Sequence, residues 1–464
     1  MKGVATHGEM VRTGRAIRNR VPRSVHSEFR TPDRDPVQIL KEQNKGRLAE
    51  LVPVRFGRML ESPFAYYRGT AAVMANDLAT DEVTGLHVVS CGDAHISNFG
   101  FYASPERNLL FDLNDFDEAG LAPWEWDVKR LVASVTIGGR DRGFSKDRTS
   151  SAAALALRSY RRGMRRASEL TVLERYFFHI DQQDLMVALG SDEDRDLVSR
   201  TIQKARDRTS DRVLERMVTI NPAGTPKIVD EPPVTRHVDH GGEVELSAVF
   251  DQYRQTLRAD TAQLLSQFRM VDYVLRVVGV GSVGTRCYVI LFVGPNGEPL
   301  FLQAKEAAHS VLQTHGHIAQ ILPDGLPPNL HSHQGYRVIA CQRILQAHSD
   351  PFLGWIEGYR GDDLNRAPTD YYWRQFRDMK GSLDLAKMSP DQFEGYAALC
   401  AGLLARAHSQ SPLCVAIASY LGEGDKFDEA VLKWTDRYAD QAERDFARLQ
   451  QAAKKGEIPV ESDV

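Results

Sequence analysis

Cysteine is scarce in this chain. The five present (Cys91, Cys287, Cys341, Cys400, Cys414) include no Cys-x-x-Cys pair. That spacing supplies neither a zinc quartet nor a disulfide framework, and it fits a reducing, cytoplasmic setting. Long apolar runs are missing too. None approaches the roughly 18 to 20 residues of a membrane span, so no membrane association is expected. The N-terminal arginines (Arg12, Arg15, Arg18, Arg20, Arg23) are not followed by the apolar region of a secretory signal. Charge of one sign is also lacking: the net charge is -4, so no global basic field argues for nucleic acid as a partner. No repeat or low-complexity tract stands out.

What is there is the composition of a globular protein, 42% hydrophobic and 26% charged over 464 residues. That length exceeds one ordinary core and predicts about two to three lobes. Residues 1–35 read as a flexible basic arm. Residues 36–270 read as a mainly helical lobe, 271–385 as an antiparallel-sheet lobe, and 386–464 as helices completing the first lobe. A Pro- and Gly-rich stretch from 221 to 245 marks a boundary.

The informative stretch is Cys91-Gly92-Asp93-Ala94-His95-Ile96-Ser97-Asn98, led in by the short apolar strand Leu86–Ser90. A carboxylate and an amide lie five positions apart on a glycine-led turn. One hairpin later comes Phe111-Asp112-Leu113-Asn114-Asp115-Phe116-Asp117. Such a set can hold a divalent ion against a phosphate and orient a hydroxyl beside it. The plainer reading of Asp93 and Asn98 is an Asx turn capping its own backbone. A helix opens at Pro123-Trp124-Glu125-Trp126-Asp127 and is expected to stop at Gly138-Gly139. Arg55, Arg58 and Arg68 could fork onto a phosphate, or lay their stems over aromatic surface.

A second stretch, Tyr273 to Thr285, runs from a strand into Gly279-x-Gly281-Ser282-x-Gly284 and on into another strand. A dinucleotide fingerprint would place a helix there. Here Gly294-Pro295-Asn296-Gly297 turns the chain into a third strand that ends at Lys305. Glycines between antiparallel strands, with a lysine on the third, fit a loop that covers nucleotide phosphates. Glu306 would point to the opposite face. Tyr371 to Arg377 reads as an exposed edge strand. Ser389-Pro390-Asp391-Gln392 caps a buried helix, and Phe427 to Ala453 is an amphipathic helix expected on the outside. The pairs His315/His317 and His331/His333 invite a transition-metal reading, though no acid stands at ligand spacing.

Gly92-Asp93-x-His95-x-x-Asn98 resembles the catalytic loop of aminoglycoside phosphotransferases and related kinase-like enzymes. Asn114-Asp115-Phe116-Asp117-Glu118-Ala119 resembles their metal segment, and Trp126-Asp127-Val128 the motif that follows it. The chain from about 30 to 450 is also similar to a bacterial family designated DUF2252. The kinase-like resemblance implies an α+β, two-lobed fold with a large helical lobe and a small antiparallel-sheet lobe. Here the catalytic loop precedes the Gly-loop, so the order would be circularly permuted. The end of the Ser389 helix would then lie beside the strand before Asp93. The resemblance also implies ATP and Mg²⁺ as cofactors and an unknown phosphoryl acceptor, a small molecule or a protein. Asp93 becomes the catalytic carboxylate. Asn98, Asp115 and Asp117 become metal ligands, with Asp112 an alternative for a second ion. Gly279, Gly281, Ser282, Gly284 and Lys305 contact the nucleotide, and Asp127 orders the catalytic loop. A nucleotide-binding module without turnover, and an AMP transferase of the same fold, are the alternatives. A metallophosphoesterase would need further ligands that the sequence lacks.

Overall fold

The computed structural model describes residues 5–461 apart from 31–32, 184, 186–191, 209, 223, 238–242, 278–282, 360–367 and 377–378. Thr6 opens its first element. The Thr6 hydroxyl accepts from the Glu9 N–H, and the Glu9 carboxylate accepts from the Thr6 N–H at 2.7 Å, a capping box that starts α1 (His7–Arg20). The segment expected as a flexible arm is therefore helical over its middle, and it is docked. Gly14 and Ile17 are buried, Arg18 Nε donates to Tyr420 O at 3.0 Å, and Arg23 Nη1 donates to Leu421 O at 2.5 Å. Both arginines sit on the open carbonyls of a helix end far down the chain, where cations are favoured. Local periodicity carries no sign of that partner.

Four short helices follow: α2 (Pro36–Asn44), α3 (Val52–Met59), α4 (Pro63–Arg68) and α5 (Ala71–Leu78). Pro36, Pro53 and Pro63 occupy first turns, where a missing N–H is harmless. Strand β1 (His87–Ser90) pairs antiparallel with β4 (Gly120–Pro123), and between them β2 (Phe99–Ala103) and β3 (Leu109–Leu113) form a hairpin buried on both faces. Helix α6 (Trp124–Asp141) is buried from Trp124 to Gly139, so the glycine pair expected to end it lies inside it. Those glycines serve close packing: a Cβ on Gly139 would stand 3.0 Å from Thr149 of α7 (Lys146–Glu169).

Helices α8 (Val172–Phe177), α9 (Asp192–Arg206) and α10 (Ser210–Met217), the hairpin β5–β6 (Val218–Ile220, Pro226–Ile228), strand β7 (Thr235–Arg236), and helices α11 (Glu243–Gln255) and α12 (Ala259–Leu265) lead to the main sheet. It adds β8 (Arg269–Arg276), β9 (Cys287–Val293), β10 (Pro299–Glu306), β11 (Gly354–Tyr359) and β12 (Pro368–Gln375), in the antiparallel order β11-β12-β10-β9-β8-β7. Strand β12 is interior, not the exposed edge expected of Tyr371 to Arg377. Its aromatics are buried because α11 covers that face, with Tyr253 stacked on Trp373 at 4.4 Å between centroids. Val213 and Met217 of α10 cover the other face, against Val289, Leu291 and Phe301. Alternation puts Lys305 on the same face as Phe301.

Between β10 and β11 the chain makes α13 (Val311–Thr314) and α14 (Gln334–Leu345). The Ser389 capping box then starts α15 (Pro390–His408), which packs on α7 and is followed by α16 (Cys414–Leu421) and α17 (Lys426–Lys454). Helix α17 is not merely external: Phe427, Val431, Trp434 and Tyr438 enter the main core. The architecture is α+β, a helical body carrying a six-stranded antiparallel sheet. Among the described residues no helix is long and apolar enough to cross a membrane.

Candidate active-site cleft

Strand β1 delivers the chain into Cys91-Gly92-Asp93. Gly92 has φ +75°, and a Cβ there would stand 2.2 Å from the Glu118 carbonyl oxygen, so only glycine lets the turn cross the acidic segment. Asp127, in the first turn of α6 and 1% exposed, accepts from Cys91 N–H at 2.6 Å and Gly92 N–H at 2.9 Å. His408 Nε2, at the end of α15, lies 3.1 Å from the same carboxylate. The end of the Ser389 helix thus lies beside the strand that leads into Asp93. Ser411 adds to this by accepting from Val89 N–H at 3.2 Å.

Asp93 faces a cation that the sequence reading missed. Arg130 Nε donates to Asp93 Oδ1 at 2.8 Å, while its plane lies 4.0 Å over Tyr67 and Nη2 donates to Tyr67 O at 2.8 Å. Arg130 is one turn beyond Asp127 on α6, so helical spacing from the motif was the available signal. His95 Nε2 is 3.9 Å from Asp93 Oδ2. Burial drives the His95 pKa down to about 3, so the ring is neutral and makes no salt bridge.

Asn98 joins the two motif segments. Its Oδ1 accepts from Asp115 N–H at 2.8 Å, and its Nδ2 donates to Asp93 O and Asp115 O at 3.0 Å each. Both ends of the amide hold backbone, and the side chain is buried. Asp115 lies on the cleft wall, where its carboxylate meets only the Asp117 N–H, at 3.4 Å, among the described residues. Asp117 is engaged instead with Lys305 Nζ, which contacts Oδ2, and with Tyr372 Oη, which donates to Oδ1 at 2.7 Å. Burial alone would raise Asp117, but the Lys305 ammonium and these hydrogen bonds hold it at about 2. Lys305 is pushed up: burial opposes its charge, and Asp115 and Asp117 outweigh that. Asp112 lies elsewhere. It is 1% exposed and accepts from Leu113 and Ala347 N–H at 2.9 and 3.1 Å, so it is a buried strand carboxylate rather than a second-ion ligand.

The cleft of about 370 Å³ is lined by Asp93, Asp115, Asp117 and Glu118 from the motif segments, by Arg47, Arg55 and Arg68 from α2–α4 and their linkers, and by Thr285 and Glu306 from the sheet. Burial raises Glu118 to about 7, against its Val311 N–H partner at 2.7 Å and the charge of Arg337. Glu306, expected to point away from the Lys305 side, also lines the cleft and pairs with Arg286 at 3.0 Å. Gly284, at φ +86°, accepts from Leu48 N–H at 2.8 Å, which ties the end of the Gly-loop to the helical body. Gly279, Gly281 and Ser282 lie outside the described residues. Of the arginines weighed from sequence, Arg55 and Arg68 line the cleft; Arg47 was missed, and so were Arg374 and Lys380, whose charges reach Asp115.

No group of three His, Cys, Asp or Glu that could hold a metal ion occurs among the described residues. His331 instead caps a carbonyl, Leu326 O at 3.2 Å, and His333 accepts from Tyr336 N–H to start α14. A second groove, of about 390 Å³, is lined by Arg158, Arg162, Arg166, Arg175 and Arg406, with no acid among the described lining residues.

No curated protein and no solved structure matches this chain. A family described as "Uncharacterized protein conserved in bacteria (DUF2252)" matches residues 47–452, a span that includes Arg47, Asp93, Asp115, Asp117 and Lys305. The chain therefore belongs to the DUF2252 family.

Proposed function

We propose that the chain is an ATP- and Mg²⁺-dependent phosphotransferase of the kinase-like type, acting on a hydroxyl of an unidentified small molecule or protein, with its two lobes encoded in permuted order. One observation carries the reading: Asp93, Asp115 and Asp117 share a cleft with Thr285 and Glu306, and Lys305 of the third long strand, buried behind that lining, contacts Asp117. Kinase-like sites use a lysine on the third strand, and a helix follows that strand. Here the short α13 and then α14 follow β10, and Arg337 of α14 donates to Asp117 O at 2.8 Å and Ala119 O at 2.6 Å. The end of α15 meets Asp127, which in turn holds the turn before Asp93, and this fits the permuted order.

Asp93 is the positioning carboxylate and proton acceptor. Arg130 fixes one oxygen and leaves the other toward the cleft, where it receives the acceptor hydroxyl proton as that oxygen bonds to the γ-phosphorus and ADP departs. Asp115, whose carboxylate makes a single hydrogen bond among the described residues, would hold Mg²⁺, with Asn98 fixing the Asp115 backbone beside it; one or two protein oxygens plus phosphate suit that ion, which would neutralise phosphate charge when bound. Lys305, kept protonated by Asp115 and Asp117, supplies a fixed positive charge to the nucleotide phosphates. The experiment is incubation of pure protein with Mg·ATP labelled at the γ- or the α-phosphate, beside Asp93→Asn. Turnover that falls at least about a hundredfold in Asp93→Asn supports the reading. Transfer of the α-label indicates AMP transfer. Absence of both binding and turnover in the wild type sinks it.

A further inference from the structure

The charges lining the cleft are not evenly neutralised. Asp93 is taken by Arg130, Asp117 by Lys305 and Glu306 by Arg286. Arg47, Arg55 and Arg68 have no carboxylate within ion-pair distance among the described residues. Their hydrogen bonds go to uncharged oxygens. Arg47 Nη1 donates to Val283 O at 2.5 Å, and Arg55 donates to Asn44 Oδ1, to Gln43 Oε1 at 2.7 Å and to Gly69 O at 3.1 Å. Arg68 donates none to the described residues. The Nε of each of the three is buried without a partner among them. Burial pushes all three below the ordinary arginine range, Arg47 to about 10.

Position divides their tasks. Arg55, 0% exposed, ties α3 to the end of α2 and to Gly69 just after α4 and is structural. Arg68, the last residue of α4, is half-buried on the cleft wall, and its field is set by Asp93, Glu61 and Asp115. Arg47 stands beside the end of the Gly-loop. Guanidiniums with no carboxylate within ion-pair distance among the described residues, on the same cleft wall as the Asp115 carboxylate, complement a metal-bound phosphate: the anion satisfies the arginines and the cation satisfies the acid.

We propose that Arg68, backed by Arg47, forms an anion subsite that holds a phosphate group of the ligand against Asp93. A phosphate-bearing substrate therefore binds on the helical side of the cleft. The subsite stands on its own geometry; only the source of the phosphate, nucleotide or phosphorylated acceptor, rests on the phosphotransferase reading.

The test is titration calorimetry of the full chain with inorganic pyrophosphate in EDTA and, separately, with ATP·Mg. The proteins are wild type, Arg68→Gln and Arg68→Lys, with folding checked by circular dichroism. Pyrophosphate should bind the wild type and weaken about tenfold or more in Arg68→Gln. Arg68→Lys should lose less, because it keeps the charge without the fork, and it carries the test if Arg68→Gln does not fold. A parallel loss with ATP·Mg assigns the phosphate to the nucleotide. Unchanged ATP·Mg binding with weakened pyrophosphate assigns it to the acceptor. Arg68-dependent pyrophosphate binding without any ATP·Mg binding keeps the subsite and sinks the nucleotide reading. Absence of pyrophosphate binding in the wild type, or equal binding by all three proteins, overturns the subsite whatever ATP does.

Discussion

Replacing Lys305 by methionine keeps the stem and deletes the charge that holds Asp117. The Lys305 side chain is 2% exposed and Asp117 is 26% exposed. Breaking a fully buried pair costs about 3–5 kcal/mol. The Asp117 carboxylate keeps some water and the Tyr372 hydroxyl at 2.7 Å, so the loss at pH 7 should be smaller, roughly 1–3 kcal/mol. The pH dependence gives an independent check. With its pKa held at about 2, Asp117 stabilises the native wild type above its unfolded value near 4, and that contribution fades as pH falls toward 2. Without Lys305 the carboxyl rises, so the variant's deficit should shrink below about pH 4 as Asp117 takes up a proton. Urea denaturation of Lys305→Met, Asp117→Asn and the double variant completes the cycle. A coupling of about 1 kcal/mol or more is expected, and additivity within about 0.5 kcal/mol would refute the pairing.

Asp115→Ala should cost about 1 kcal/mol or less in urea, because its carboxylate makes one hydrogen bond among the described residues, at 3.4 Å, and otherwise acts through its charge on Lys305, while Mg²⁺-dependent ATP binding falls at least about tenfold by calorimetry; unchanged binding would remove Asp115 from the metal site. Asp127→Ala strips the acceptor from the Cys91 and Gly92 N–H groups and should cost about 3 kcal/mol in denaturant; a loss below about 1 kcal/mol would show that the turn does not depend on it. Glu118, raised by burial to about 7, binds an extra native-state proton between its unfolded value near 4.3 and 7, so it makes stability fall as pH rises through that window. Glu118→Gln should flatten the decline between pH 5 and 7.5 in urea titrations, and an unaltered slope would dismiss that titration.

Local chemistry left the elements around the cleft readable. The Ser389 capping box, the Gly294–Gly297 turn and the alternation leading to Lys305 each depend on neighbours a few residues away, and each is found in place. Gly92 was legible as a glycine the turn required, though not as the point where the Glu118 carbonyl crosses it. The errors share one cause: a partner distant in sequence. The basic segment became a helix because α16 offered it carbonyls. Gly138 and Gly139 stayed helical because α7 and its neighbours needed the space. Tyr371 and Trp373 lie in the sheet interior because β11 pairs with their strand and α11 covers that face.

The sequence by itself determined the acidic turn, the antiparallel strands and the lysine at the end of the third, since hydrogen-bond patterns and side-chain alternation are short-range. Only the tertiary structure decided which charge answers which. It gave Arg130 to Asp93 and Lys305 to Asp117, and it set Arg47 and Arg68 on the same cleft wall as Asp115, with no carboxylate within ion-pair distance of either arginine among the described residues. Coulombic interaction depends on distance in space and on local dielectric, and neither is written in the order of the residues.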